Sequence, residues 1–427
     1  MSKRSKIMSY AFTDDEKRTI SILSFGTFLE YFDLFLFIHL ASKINETFFA
    51  PGDKSSFLVT SIAYITSNLF RPFGALILGY LGDKIGRVYT LYVTLCLMGL
   101  CSIGVVVLPT YAQMGVAASW FISLFRGIQS ISSMGEIISS RIYLQENLKG
   151  TKIATANCLL MFGCFFGGHF SILAVKFAND FNLNFRYLFG VGFLVFMLGL
   201  SFRKNLAENR EFNITRKIKN ETERVSLRLC LAISFVISVS QVMWSVAFII
   251  INQKLKTDLS FSDYDIVNHN ANVNWGYMIN FLIYYVLTCR VYPGYISFAK
   301  NLILLSAILI LPEVLASNVL NDIFLLQGVI VLCAGDPTID CLLLANLPQK
   351  FRMLVGCLTF ALPKFFVVGV LAAPDYLLAD YGYYAYSLIC APLVLLGLWG
   401  IYTLTRIDKK NSNGFYKNYK NKLITKF

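Results

Sequence analysis

Charge is what this sequence is short of. Only 15% of its 427 residues are Asp, Glu, Lys or Arg, where an ordinary globular domain carries about 25%. A chain that is 56% hydrophobic, with a mean hydropathy of +0.60, is expected to sit in a bilayer. Histidine is scarcer still, at three residues. No Cys-x-x-Cys pair and no Cys/His cluster interrupts the chain, which argues against a zinc centre or a disulfide framework. The ten cysteines fall in or beside apolar runs and read as buried thiols. Glycine turns that would cradle a phosphate between strand and helix are missing, as is any nucleophile beside a base. No enzyme, cofactor or metal is therefore expected. The first nineteen residues lack an apolar core followed by a small-residue cleavage site, so the first apolar run reads as a retained helix.

What is present is a succession of long apolar runs. A bilayer span needs about 20 mostly apolar residues. Twelve runs qualify, at approximately 20–42, 57–80, 88–108, 113–138, 153–178, 187–202, 227–251, 272–289, 297–317, 320–346, 353–375 and 381–404. The expected fold is an all-α polytopic membrane protein with twelve transmembrane helices in two six-helix halves, 20–202 and 227–404. A tail of 1–19 precedes them, the polar connector 203–226 joins them, and a basic tail, 405–427, follows. Two halves of matching length suggest a duplicated transporter architecture with a site between them.

Lys and Arg set the orientation. With both termini in the cytoplasm, the outer segments hold only Lys43, Lys54, Lys176, Arg186, Lys254 and Lys256 out of 38 basic residues. The N-in, C-in arrangement explains the net charge of +13 without nucleic acid. The tail "RIDKKNSNGFYKNYKNKLITKF" reads as solvated, with anionic lipid as an alternative contact.

The first span, "SFGTFLEYFDLFLFIHL", carries Glu30, Asp33 and His39. A charged side chain at the centre of a span costs about 2.5–3.5 kcal/mol, so it is tolerated where it faces a cavity or a partner. Asp33 lies three residues after Glu30, on the same helix face. Arg71, Arg126 and Lys364 also lie within spans. Burial favours a neutral carboxyl and a nearby Arg favours a charged one, so such a pair can take and release protons. The bland alternative is that Glu30–Arg126 or Asp33–Arg71 are structural pairs. His39 reads as interfacial, and His169 as a packing residue or a proton relay.

Between the second and third runs stands "RPFGALILGYLGDKIGRVYTL". Gly79 and Gly82 allow close backbone approach, Gly86 permits a tight turn, and Asp83 can pair with Arg87 or cap the next helix. The spacing G-x-x-G-D-x-x-G-R is specific, and here the chain resembles the major facilitator superfamily. "GTFLEYFDLFLF", "FFAPGD", "RGIQSISSMGEIISSRIYLQENLKGTK" and "RKNLAENREF" narrow the resemblance to its metabolite:proton symporter branch, most closely over 25–212. It implies a single-chain, monomeric secondary carrier in the inner membrane that moves a small zwitterion or carboxylate, usually with protons. By this resemblance Glu30, Asp33 and Arg126 match cavity positions. Arg71, Gly79, Gly82, Asp83, Gly86, Arg87, Glu136 and Arg141 match a cytoplasmic gate.

The second half departs from the pattern. Its corresponding loop, "LTCRVYPGYISFAKN", keeps Arg290 but has no Asp and no G-x-x-G. In "CAGDPTIDCLLL", Pro337 is expected to break the tenth span and free carbonyls beside Asp336 and Asp340, as where a helix lines a cavity. Lys364 is expected either to bind a substrate carboxylate or to neutralise one of those two acids. A transporter-derived sensor that no longer cycles is the competing class.

Overall fold

A computed structural model describes residues 12–50, 56–208, 225–367, 380–411 and 415–417, and omits the side chains of 51–69 and 263. Most of the connector 203–226, the start of the N-terminal tail, the end of the basic tail and the eleventh run beyond 367 lie outside the described residues.

The first-half helices are α1 (Asp14–His39), α2 (Ser56–Lys84), α3 (Arg87–Val107), α4 (Val116–Asn147), α5 (Thr151–Asp180) and α6 (Arg186–Arg203). The second-half helices are α7 (Leu227–Thr257), α8 (Asp263–Thr288), α9 (Pro293–Ser317), α10, α11 (Arg352–Ala361) and α12 (Tyr384–Lys410). Helix α10 is in two pieces, α10a (Leu320–Ala334) and α10b (Asp340–Ala345). Helix α7 holds a π turn over Val246–Ile250.

Local signals explain the ends. A Thr13/Glu16 capping box, with Asp14 and Asp15 in the first turn, starts α1. Gly86, at φ 141°, turns the chain between α2 and α3, a backbone state that side chains disfavour. Pro293 opens α9, where its missing N–H costs nothing. Among the described residues, α1, α3, α5, α6, α7, α9 and α12 are each long and apolar enough to cross a membrane. Helices α4 and α8 are more polar because they bury polar faces: Gln129, Ser133 and Glu136 on α4, Asn270, Asn274 and Asn280 on α8.

Within the first half α1 packs on α5, and α4 lies against α2 and α3. Within the second, α7 and α9 pack on α12. The halves meet along two seams, α5 on α8 and α2 on α11. At the second seam a Cβ on Gly79 would lie 2.8 Å from Leu354 Cα, so only glycine admits this approach. On the face where α1 begins and α12 ends, one apolar cluster spans both halves, joining Ile138, Ile142, Leu343 and Met353. That face is the loop face below.

Candidate functional site

Between the halves lies a cavity of about 160 Å³, and its charged lining is Glu30, Arg71, Arg141, Asp336, Asp340 and Lys364. Two of the acids already have partners. Asp340 meets Arg141 across the halves at 3.1 Å, and the Arg141 guanidinium also lies 5.0 Å from the Phe360 ring. Asp336 pairs with Lys300 of α9 at 3.2 Å. What remains is Glu30, Arg71 and Lys364. Among the described residues Glu30 forms no ion pair, and neither its oxygens nor Arg71 Nε make a hydrogen bond of good geometry, the Ser133 hydroxyl being the polar neighbour of Glu30. Lys364 is therefore not the neutraliser of Asp336 or Asp340.

Asp33 goes elsewhere. It accepts from Gln129 at 3.0 Å and Ser102 at 3.2 Å and lies 3.5 Å from Arg126, whose guanidinium sits 4.4 Å from the Phe37 ring. This knot joins α1, α3 and α4 inside the first half, apart from the cavity. Three residues on a helix are about 60° apart in projection. On a helix buried nearly all round, that rotation carries Asp33 from the face between the halves to the α3/α4 face. The cross-pairs Glu30–Arg126 and Asp33–Arg71 do not form. His169 also lies outside the cavity, in the α5/α8 seam, with its ring 4.6 Å from Trp275.

Residues grouped by sequence with the gate separate into three places. Arg71 and Arg141 line the cavity. Glu136 is wholly buried inside the first half; it pairs with Arg203 and accepts from Thr94 at 2.8 Å, while Arg203 also donates to the Leu91 carbonyl. The loop itself carries the third set. Asp83 accepts from the amides of Met353 at 3.0 Å and Leu354 at 2.8 Å, so a first-half carboxylate caps second-half helix α11. Arg87 donates to the Gly82 carbonyl at 2.9 Å and to Glu146 at 3.1 Å, and Glu146 lies 3.5 Å from Arg352. Glu208 accepts from the Arg87 and Val88 amides at the start of α3.

Sequence reasoning gave no role to Arg203, Glu146, Glu208, Arg352 or Lys300. Signals were present: Arg203 and Glu208 stand in "RKNLAENREF", and Glu146 in "YLQENLKGTK". Lys300 is a lone cation at the start of an apolar run. Apart from the Leu347 carbonyl that Arg352 also meets, their partners are more than thirty residues away in sequence, and no spacing encodes those.

The loop face is thus closed below the cavity. On the opposite side a larger pocket of about 440 Å³ opens beside His39, Lys43 and Asn270, and Trp244 borders both spaces. The rings of Phe35, Trp244 and Phe248 cluster at 5.1–6.1 Å between them.

No family model matches the chain. It is 31% identical over 201 residues to a citrate-proton symporter of Klebsiella pneumoniae, covering 45% of each chain. It is 25% identical over 228 residues to a putative proline/betaine transporter of Staphylococcus aureus, covering 51% of this chain and 48% of that one. The chain thus spans somewhat less than half the length of these curated relatives. Among solved structures, a double-Trp mutant of XylE matches with a TM-score of 0.78 at 14% identity, over 90% of this chain and 94% of that one. A bacterial homologue of the iron transporter ferroportin, in an outward-facing state, matches at 0.67 over 91% of this chain and 99% of that one. The fold is therefore that of the major facilitator proteins, and about half of the chain is similar in sequence to a citrate-proton symporter and to putative proline/betaine transporters.

Proposed function

We propose that the chain is a secondary carrier that moves a small zwitterionic or carboxylate metabolite, of the proline or glycine betaine kind, across the inner membrane by alternating access with proton symport. Its working unit is a monomer of two halves, 20–202 and 227–404, with both termini in the cytoplasm. The observation that carries this reading is Glu30: a buried carboxyl with no ion-pair partner among the described residues, in a cavity between the halves, beside Arg71 and Lys364.

Electrostatics supplies a coupling mechanism. A charged carboxylate buried without partners is costly, so Glu30 needs either a proton or a nearby cation. A substrate carboxylate entering the cavity competes for Arg71 and Lys364. Its arrival deprives Glu30 of compensation and favours protonation, so substrate and proton load together. Passage to the other side needs the Asp83–α11 cap and the Arg141–Asp340 pair to open while the aromatic cluster closes.

A second reading, a carrier of di- or tricarboxylates, is favoured by one observation: two cations, Arg71 and Lys364, line the cavity beside one acid, Glu30, that has no ion-pair partner among the described residues. The Klebsiella relative is named for citrate. The deciding experiment is uptake of labelled proline, glycine betaine, 2-oxoglutarate and citrate into proteoliposomes, with and without an inward proton gradient, for wild type and Glu30→Gln. Gradient-driven uptake lost in the variant is the expected result. Uptake indifferent to the gradient would leave a facilitator. No uptake of any of the four, from folded protein, would sink the carrier reading and favour a sensor.

A further inference from the structure

Helix α10 breaks between Ala334 and Asp340, and a cation that the cavity does not use is docked at the break. Pro337 has no N–H to donate, so the carbonyls ending α10a lack intrahelical partners. A helix C-terminus also carries partial negative charge. Lys300, reaching in from α9, donates to the Cys333 carbonyl at 2.8 Å and lies 3.2 Å from Asp336 Oδ2. The two side chains are 7% and 2% exposed. Two hydroxyls brace the carboxylate. Thr338 donates to Asp336 Oδ1 through its hydroxyl at 2.6 Å and its amide at 3.2 Å, and Ser297 donates to Oδ2 through its hydroxyl. The two hydroxyls are 3.5 Å apart.

A carboxylate and a freed carbonyl meet the ammonium at the C-terminal end of a half-helix, and the two hydroxyls bonded to that carboxylate add further hard oxygens beside it. Unwound carbonyls and half-helix ends in transporters hold Na⁺ in this way. The occupant here is an ammonium on a four-carbon tether. We propose that Lys300 is a built-in cation occupying a monovalent-cation site at the α10 break, so that the second half is electrically complete without a dissolved ion. Taken with the carrier reading, on which this consequence alone rests, Na⁺ would be dispensable and Glu30 would be left as the ion-coupling group. Asp336 also borders the cavity, so an ion would have a route to the site once the ammonium is removed.

The test is the thermal unfolding midpoint of the purified full chain in NaCl, LiCl, KCl or N-methylglucamine chloride at equal ionic strength, a readout that needs no transport. Wild type should be indifferent to the cation. Lys300→Ala should melt lower in N-methylglucamine and recover saturably with Na⁺ or Li⁺, whereas Lys300→Ala/Asp336→Asn should fold and show no such recovery. Lys300→Gln, which can still donate to the Cys333 carbonyl, is the second variant and should respond as Lys300→Ala does. A structural ion pair alone predicts loss without cation-specific rescue, and that outcome would overturn the proposal. So would Na⁺-specific stabilisation of wild type, or failure of both single variants to fold even in Na⁺ or Li⁺ while the double variant folds.

Discussion

The loops at matching positions of the two halves do different work. In the first half, Asp83 caps α11 across the seam, and Arg87, Glu146 and Arg352 form a chain of charge behind it. In the second half, Arg290 is exposed, and Tyr292 donates to Asp408 of α12 at 2.8 Å. Asp408 also accepts from the amides of Phe415 and Tyr416. Helix α5, at the matching place in the first half, starts after Gly150, which has no side chain of its own to cap it. Thus the second-half loop is not merely a worn copy of the first. One loop holds the halves together, and the other anchors the chain that follows α12. A fold of matched halves can therefore be locked by one of its two loops, and opening the loop face requires breaking that set of bonds together with the Arg141–Asp340 pair.

A one-sided lock needs a rigid first half behind it, and the largest expected effect comes from removing that rigidity. Glu136 and Arg203 are both essentially inaccessible, and the pair ties α4 to α6 while Arg203 reaches the Leu91 carbonyl on α3. Glu136→Ala strands a buried guanidinium, so it should cost about 3–5 kcal/mol of stability. Glu136→Leu/Arg203→Leu should recover much of that, because the stranded charge is gone. Unfolding midpoints of the two variants check this. A Glu136→Ala protein with wild-type stability but an opened loop face would instead return Glu136 to the gate.

Next in size is the lock itself. Asp83→Ala removes the cap on α11, at about 1–2 kcal/mol. One or two kcal/mol is a factor of about 5–30 in a two-state population. Spin labels at positions 84 and 350, both exposed on the loop face, should report a longer, broader distance in the variant. Arg290→Ala should leave that distance unchanged and stability within about 0.5 kcal/mol, as for a surface residue away from special features. Equal responses from the two loops would dissolve the asymmetry.

The asymmetry was partly legible in the sequence. Apolar runs placed the helices to within a few residues in most cases, because the bilayer imposes a length and leaves little room for polar side chains. The G-x-x-G-D-x-x-G-R spacing located the lock, and Pro337 located the α10 break. Partner choice was not legible. Asp33 joined Arg126 and not Arg71, Glu136 joined Arg203, and Asp336 joined Lys300. Such pairings depend on helix rotations and seams that a single sequence does not encode. Nor did the resemblance that grouped Arg71 and Arg141 with the gate show that they line the cavity, since a position near the end of a run does not say whether the side chain meets the loop or the cavity.

The smallest effect tests the anchoring role of the second-half loop. Tyr292→Phe deletes one of three donors to Asp408 and keeps the ring, which packs edge-on to Tyr416 at 5.4 Å. A single hydrogen bond is worth about 0.5–1.5 kcal/mol net. Exchange of the Phe415 and Tyr416 amides with solvent deuterium should therefore quicken, by about 2- to 12-fold if local opening governs it. The distance between labels at 84 and 350 should not move, because the Tyr292–Asp408 bond is separate from the bonds that Asp83 makes to α11. A change in that distance matching the Asp83→Ala effect would mean that the Tyr292–Asp408 anchor also carries gate energy, and that the halves are more alike than their loops suggest.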